Sequence, residues 1–240
     1  MKPSERIFVA LDLTDAAEAR ALARRLSGQV GGFKLGLEFF AANGPDAVRA
    51  IVEMGVNVFL DLKFHDIPNT VAGAVRAASA TGASILNVHA SGGGAMMRAA
   101  ADAAAEGADL HNVAKPIVAA VTVLTSMDED DLLAVGQKTP PRDQVMRLAR
   151  LTRDSGLDGV VCSPAESADV RAACGESFVR IVPGIRPSWS ATNDQKRFMT
   201  PKQALADGAT HLVIGRPITQ ADDPVEAVFR IVGELEAHSE

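Results

Sequence analysis

The chain has 240 residues, a length typical of one large α/β domain. Its formal net charge is −6, so no overall field attracts nucleic acid or an anionic membrane, and one tryptophan with no tyrosine makes a base-stacking surface improbable. We therefore expect neither nucleic acid nor a membrane as a partner, and an anionic ligand must be held by local donors.

The chain opens without a charged-then-apolar leader, and no apolar run approaches the roughly 18 residues of a membrane span. Its two cysteines, Cys162 and Cys174, lack metal-ligand spacing, and reduced structural thiols are favoured over a disulfide. These features predict a soluble, cytoplasmic protein.

Short apolar segments alternate with alanine-rich helical segments along the whole chain. The predicted strands are Ile7–Leu11, Phe33–Leu37, Val56–Leu62, Ser84–Val88, Ile117–Leu124, Gly159–Cys162, Phe178–Val182 and His211–Ile214. Predicted helices between them include Asp15–Leu26, Pro45–Met54, Asn69–Thr81, Ala95–Glu106, Arg142–Asp154 and Pro224–Glu236.

This alternation predicts an α/β protein with a (β/α)8 TIM barrel as a single domain over residues 1–240. The alternative is an open doubly wound sheet, which usually has fewer strands and a glycine-rich dinucleotide turn. No GxGxxG motif follows the first predicted strand, so the barrel is favoured.

The third predicted strand carries charges on one face. Residues two apart in a strand point to the same side, so Asp61 and Lys63 are aimed together. Val58, Leu60 and Leu62 take the other side, which suits packing against helices. Burying charges is costly unless they are paired, so this face calls for an explanation.

Further charges are predicted near the same end of the barrel. Asp12 follows the first predicted strand, Lys34 lies in the second, and Asp66 follows the third. Buried ion pairs are poor stabilisers, and barrel enzymes place their chemistry at the C-terminal ends of strands, so we interpret these charges as a functional cluster. Alternating lysines and aspartates favour each other's charged forms, which leaves a lysine ammonium as a proton donor.

Two segments near the end of the chain suggest a phosphate site. In "HLVIGRPIT", Gly215 permits close backbone approach and Arg216 offers a fork of donors after the eighth strand, where barrels often bind phosphate. The segment after the seventh strand is long for a βα loop and contains Arg186 and Gln195. We interpret it as a lid or binding segment, with an ordinary solvated loop as the alternative.

Other polar residues receive structural interpretations. His65 and His89 follow strands, but without further ligands at metal spacing we predict hydrogen-bonded structural histidines. The run "MDEDD" at 127–131 predicts a helix start or a solvated turn, with a magnesium site as the weaker alternative.

The segment "DLKFHDIPNT" at 61–70 resembles the signature of the orotidine 5′-phosphate decarboxylase family. Other segments that resemble the family occur in the same order across nearly the whole chain. They are "ALD" around Asp12, "FKLG" around Lys34, "VTVLTS" around Thr125, "PGIRP" with "NDQKR", and "VIGRPIT". The resemblance implies decarboxylation of orotidine 5′-monophosphate to UMP and CO2, the last step of UMP synthesis, with no cofactor and no metal.

The resemblance also implies roles for the charged residues. Lys63 matches the lysine that protonates C6 of the pyrimidine, and Asp61 and Asp66 match carboxylates around the departing CO2. Lys34 completes the charge network. The implied substrate contacts are Asp12, Lys34, Asp61, Thr70, Thr125, Arg186, Gln195, Gly215 and Arg216. Members of the family are homodimers, which implies that Asp66 and Thr70 reach into the partner's site.

Two alternatives to this function remain open in the sequence. A magnesium-dependent decarboxylase of a keto-sugar phosphate has the same Asp-x-Lys-x-x-Asp core, although "HDIPNT" and the "GIR…DQ" segment resemble the nucleotide enzyme. A catalytically silent barrel that binds nucleotides is the second alternative, and the intact set of Asp61, Lys63 and Asp66 argues against it.

Overall fold

The computed structural model describes residues 1–137, 139–190 and 199–236 and contains a closed barrel of parallel strands. The strands are β1 Ile7–Ala10, β2 Gly32–Gly36, β3 Asn57–Phe64, β4 Ile85–His89, β5 Ile117–Val121, β6 Gly159–Val161, β7 Val179–Val182 and β8 His211–Ile214. Each strand pairs with its neighbour in sequence, and β1 pairs with β8 to close the barrel. The predicted TIM barrel is confirmed, and the open sheet is excluded.

Helices connect successive strands on the outside of the barrel. Within the described residues they are α1 Ala16–Leu26, α2 Leu37–Val52, α3 Pro68–Ser79, α4 Gly93–His111, α5 Glu129–Ala134, α6 Pro141–Asp154, α7 Ser167–Cys174, α8 Pro201–Ala206, α9 Arg216–Thr219 and α10 Pro224–Glu236. None of these described helices is long and apolar enough to cross a membrane.

Local sequence signals explain most helix boundaries. The Asp15 carboxylate accepts hydrogen bonds from the N–H groups of Ala17 and Glu18 and so caps α1. The predicted helix Pro45–Met54 covers only part of α2, because α2 begins at Leu37 and is interrupted at Gly44. That glycine has φ 70° and ψ −172°, a conformation that only glycine adopts readily. The helix therefore consists of two segments, and the prediction captured the second.

The strands alternate between two apolar layers, as their sequence parity predicts. One layer fills the barrel interior, and its buried members are Phe8, Ala10, Phe59, Ile85, Ala119, Ile181 and Val213. The other layer lies between strands and helices and includes Val58, Leu60 and Leu62. Burial of a large aliphatic or aromatic side chain contributes about 1.5–3 kcal/mol, so these layers supply the main stabilisation of the barrel.

Both cysteines are free thiols, as predicted. Cys162 is buried and Cys174 is partly buried. Burial raises the pKa of both thiols, and a raised pKa keeps a thiol protonated and unreactive at neutral pH. They serve as small packing groups.

A buried histidine at the start of β8 makes stability depend on pH. His211 packs edge-on against Phe8 with ring centroids 5.4 Å apart, and its Nδ1 lies 2.9 Å from the Thr210 hydroxyl. Burial lowers the pKa of His211 from 6.5 to about 4. In the unfolded chain His211 is protonated as the pH falls below 6.5, whereas in the folded chain it stays neutral down to about pH 4. The free energy of unfolding therefore decreases as the pH falls from 6.5 towards 4.

We predict that His211→Gln removes this component of the pH dependence. The free energy of unfolding of the natural chain should fall between pH 7 and pH 4 by about 3 kcal/mol more than that of the variant. Urea unfolding at a series of pH values measures the difference. His111→Gln, at an exposed position on α4, is the matched control and should keep the natural pH dependence. Parallel curves for the natural chain and His211→Gln would contradict the prediction.

Candidate active site

A cavity of about 330 Å³ lies at the C-terminal ends of the barrel strands. Most of the predicted site residues line it together, namely Asp12, Lys34, Asp61, Lys63, Thr125, Arg186, Gly215 and Arg216. These residues come from six different strands or the segments after them. The C-terminal mouth is where barrel enzymes place their chemistry, so the cavity is the candidate active site.

Four of these side chains form a line of alternating charge. The Lys34 ammonium lies 2.8 Å from Asp12 Oδ1 and 3.7 Å from Asp61 Oδ2. The Lys63 ammonium lies 2.7 Å from Asp61 Oδ1. Asp61 and Lys34 each expose 12% of their side chains. The line therefore places a carboxylate between two ammonium groups at the wall of the cavity, as the strand parity predicts for Asp61 and Lys63.

Such a line contributes little to stability, because the desolvation of buried ions offsets their attraction. The line of charge can instead act on a bound ligand. Fixed charges in a site with little water act on a ligand without first having to reorient, and they favour the charge distribution that they complement. An ammonium held by a carboxylate can stabilise a developing anion beside it and then give it a proton.

The backbone of β3 is irregular where it carries these charges. Leu60 pairs with Leu86 and Phe64 pairs with Val88, so β3 accommodates two more residues than β4 over the same interval. Lys63 lies within this bulge and has φ 51°, a left-handed conformation that costs about 1–3 kcal/mol for a residue other than glycine. Bulges beside active sites redirect side chains.

One buried residue at this bulge was missed by the sequence analysis. Asn87 of β4 has no exposed surface, and its side chain bonds both to the backbone N–H of Lys63 and to Asp61 Oδ1. A polar residue between the apolar residues of "ILNVH" was a signal, because a buried amide requires partners. Its partners were not evident from the sequence because the bulge that creates them was not predicted.

The side of the cavity formed after β7 and β8 contains the predicted phosphate residues. Gly215 follows β8, and a Cβ at this position would lie 3.4 Å from Ala10 Cβ and 4.0 Å from Asp12 Oδ2. Arg216 begins α9, and Arg186 is buried, with its backbone N–H bonded to the Met199 carbonyl at 3.0 Å. Two arginines and a glycine thus line the cavity on the side of β7 and β8.

Two predicted residues, Asp66 and Thr70, lie elsewhere, and a third falls outside the described part of the chain. Asp66 and Thr70 are exposed on the connection from β3 into α3 and do not line the cavity, and the Asp66 carboxylate accepts a hydrogen bond from the N–H of Ile67 at 2.6 Å. Gln195 lies outside the described residues. Trp189, which follows β7, stacks under the Arg230 guanidinium of α10, with 4.2 Å from the guanidinium carbon to the ring centroid.

The histidines beside the site face each other. The rings of His65 and His89 have centroids 5.5 Å apart and are tilted by 31°. Burial, followed by the neighbouring His65 and Lys63, lowers the pKa of His89, which favours its neutral form at neutral pH. Their hydrogen bonding stays a prediction.

The acidic run is the predicted helix start. Asp128 caps α5, and its side chain and that of Asp131 form a reciprocal capping box. No group of three or more His, Cys, Asp or Glu side chains in residues 1–137, 139–190 and 199–236 has the arrangement of a metal site.

Fold and cavity together define a barrel enzyme whose site combines an alternating charge line with an arginine-lined wall. The sequence model of the orotidine 5′-phosphate decarboxylase / HUMPS family matches residues 5–231, and the chain belongs to this family. Membership agrees with the segments from "ALD" to "VIGRPIT" on which the resemblance rests.

Relatives and solved structures give the same assignment. The orotidine 5′-phosphate decarboxylase of Paramagnetospirillum magneticum is 57% identical over 229 residues, which cover 95% of this chain and 97% of the relative. That of Alkalilimnicola ehrlichii is 53% identical over 235 residues, which cover 98% of each chain. The crystal structure of orotidine 5′-phosphate decarboxylase from Lactobacillus acidophilus has a TM-score of 0.82 at 35% identity and covers 96% of this chain and 98% of its own.

Proposed function

We propose that this enzyme decarboxylates orotidine 5′-monophosphate to UMP and CO2, the final step of de novo pyrimidine synthesis, with Lys63 as the proton donor and no cofactor. The observation that carries the proposal is the line Asp12–Lys34–Asp61–Lys63 along one wall of the cavity. The family and the names of the relatives support the overall reaction. The roles of individual residues are part of the proposal.

Decarboxylation at C6 requires a positive charge and a proton donor beside C6, and the charge line contains both in Lys63. When the bond from C6 to the carboxylate breaks, its electron pair remains on C6 as a vinylic carbanion with little resonance stabilisation. The Lys63 ammonium would stabilise this charge as it develops and then transfer a proton to C6, which completes UMP and leaves a neutral amine that regains a proton from solvent. Asp61 Oδ1 lies 2.7 Å from the Lys63 ammonium, and this charge-assisted hydrogen bond would hold the proton donor in place.

The rest of the cavity would bind the parts of the substrate that do not react. In this assignment Asp12 and Lys34 contact the ribose hydroxyls, and Thr125 lies near the pyrimidine. Arg186, Gln195, Gly215 and Arg216 hold the phosphate. Binding energy from a remote phosphate can be used to orient the reacting base, because catalysis depends on interactions that favour the transition state.

The proposal includes a homodimer in which Asp66 and Thr70 complete the partner's site. Both residues are exposed and outside the cavity of their own chain, although the sequence motif groups them with Asp61 and Lys63. Ile67, adjacent to Asp66 in the chain, is a large apolar residue that is 66% exposed. An exposed apolar side chain beside site residues that lie outside their own cavity supports a subunit interface there.

We also propose a cytoplasmic location and one catalytic domain over residues 1–240. Free cysteines support a reducing compartment. Pairing of the first strand with the last supports one domain, because the barrel closes through residues from both ends of the chain.

The first test is turnover itself, measured by the ultraviolet absorbance change of orotidine 5′-monophosphate. We expect turnover that EDTA does not reduce, whereas a magnesium-dependent sugar-phosphate decarboxylase would lose activity. Lys63→Ala should abolish measurable turnover while UMP still binds to the folded variant, because the change removes both the general acid, which alone contributes about 10²–10⁴-fold, and the charge that stabilises the carbanion. Binding of nucleotide without turnover by the natural chain would instead support the silent barrel, and near-normal turnover by Lys63→Ala would remove Lys63 from its role.

The second test concerns the phosphate wall. Arg216→Ala should lower kcat/KM for orotidine 5′-monophosphate by about 10- to 100-fold, the range expected for a lost charge-assisted hydrogen bond. The same variant should change kcat/KM for orotidine, which has no phosphate, by less than about threefold. Equal losses for both substrates would show that Arg216 does not act on the phosphate.

The third test mixes two inactive variants, Lys63→Ala and Asp66→Ala, and lets their subunits exchange. If Asp66 acts in the partner's site, one site of each heterodimer carries both defects and the other carries none. Activity should then return to as much as half of the natural value per heterodimer.

The matched control mixes Lys63→Ala with Asp61→Ala. These two residues lie 2.7 Å apart in one chain, so every site of that heterodimer keeps one defect and no activity should return. Failure of the Asp66 mixture to recover, after tagging has shown exchange, would place Asp66 in the site of its own chain.

A further inference from the structure

We propose that Asn87 is a positioning residue of the active site, which holds the Lys63 backbone in its left-handed conformation and aims the Asp61 carboxylate at the Lys63 ammonium. The inference rests on the proposed function, because it assigns Asn87 to the proton-donating pair of that reaction. Neither the sequence motif nor the wall of the cavity includes Asn87.

The geometry links one amide to both members of the pair. Asn87 Oδ1 accepts the backbone N–H of Lys63 at 2.8 Å, and Asn87 Nδ2 donates to Asp61 Oδ1 at 2.7 Å. The same carboxylate oxygen accepts from Lys63 Nζ at 2.7 Å. A single planar side chain therefore sets the separation between the backbone of the ammonium donor and the carboxylate that holds it.

The bulge in β3 creates the need for this amide. Leu60 and Phe64 pair with Leu86 and Val88 of β4, so the residues between them have no regular ladder partner on that side. The N–H of Lys63 would be left without a partner at the partly buried end of β3, and the side chain of Asn87 supplies one. The left-handed conformation of Lys63 persists only when its surroundings enforce it.

A second contribution is electrostatic. Asp61 Oδ1 receives two donors, Lys63 Nζ and Asn87 Nδ2, while Oδ2 faces Lys34 at 3.7 Å. Removal of the amide donor would let the carboxylate turn within the line of charge and carry the Lys63 ammonium with it. A misplacement of about 1 Å in a catalytic group can lower the rate by about 100-fold without preventing binding.

The opposite end of β3 provides a comparison. Asn57 also bridges strands with its amide, since Nδ2 donates to the Gly31 carbonyl at 2.9 Å and Oδ1 accepts from the Ser84 hydroxyl at 3.1 Å. It is exposed, and the partners of its amide are Gly31 and Ser84 rather than members of the charge line. Asn57 thus bridges β3 to its neighbours as Asn87 does, but at the end of the strand away from the cavity.

The experiment compares Asn87→Leu, Asn87→Ser and Asn57→Leu with the natural chain. Leucine approximates the shape of asparagine without its polar atoms, and serine keeps a hydroxyl that can both donate and accept. For each protein we would measure kcat and KM for orotidine 5′-monophosphate, the Kd for UMP and the melting temperature.

We expect Asn87→Leu to lower kcat by about 100-fold, with KM and the Kd for UMP within about threefold of the natural values. Asn87→Ser should recover part of the loss, to about tenfold below the natural kcat. Asn57→Leu should leave kcat within about twofold. If Asn87→Leu does not fold, Asn87→Ser carries the same comparison of kcat with UMP binding.

Three results would overturn the inference. These are a natural kcat in the Asn87 variants, a loss of UMP affinity as large as the loss of kcat, and an equal loss of kcat in Asn57→Leu. A natural chain that binds UMP but never turns over orotidine 5′-monophosphate would instead refute the proposed function, and the inference with it.

Discussion

The Asp61 carboxylate, held between two ammonium groups with only 12% of its side chain exposed, is the constraint on which the site depends. A charge with so little contact with water is tolerable only when partners reach it from several sides. Lys34 comes from β2, Lys63 from β3 itself and the Asn87 amide from β4. Three adjacent strands must therefore be paired before the carboxylate is compensated, and the closed barrel fixes that pairing, including the bulge of β3 against β4.

The charged residues of the site are separate from the apolar layers that stabilise the barrel. Apolar side chains such as Phe8 and Phe59 fill the interior below the cavity, and the alternate residues of the same strands pack against helices. The one irregular strand segment beside the charges, around Lys63, is bounded by regular pairing at Leu60 and Phe64. Backbone strain at the site is thus carried by a scaffold whose stability comes from elsewhere.

The sequence predicted what depends on local pattern. Alternation placed Asp61 and Lys63 on one face, and the bounds of β8 agree with the prediction residue for residue, because short apolar strands between polar turns have few alternatives. The break at Gly44 and the role of Asn87 were not predicted, because both depend on how separate elements meet. The sequence analysis expected Asp66 to reach into a partner's site, and Asp66 lies exposed outside the cavity of its own chain, whereas the contact with a partner stays a prediction.

The pairing of β1 with β8 also bears on the order of events during synthesis of the chain. A Cβ at Gly215 would lie 4.0 Å from Asp12 Oδ2, although about 200 residues separate the two positions in sequence. Contacts between such distant residues form late, because the entropy of closing the loop must be met first. A nascent chain therefore has no complete cavity until its last strand has left the ribosome, and any product of premature termination before β8 lacks both the seam and the wall that Arg216 provides.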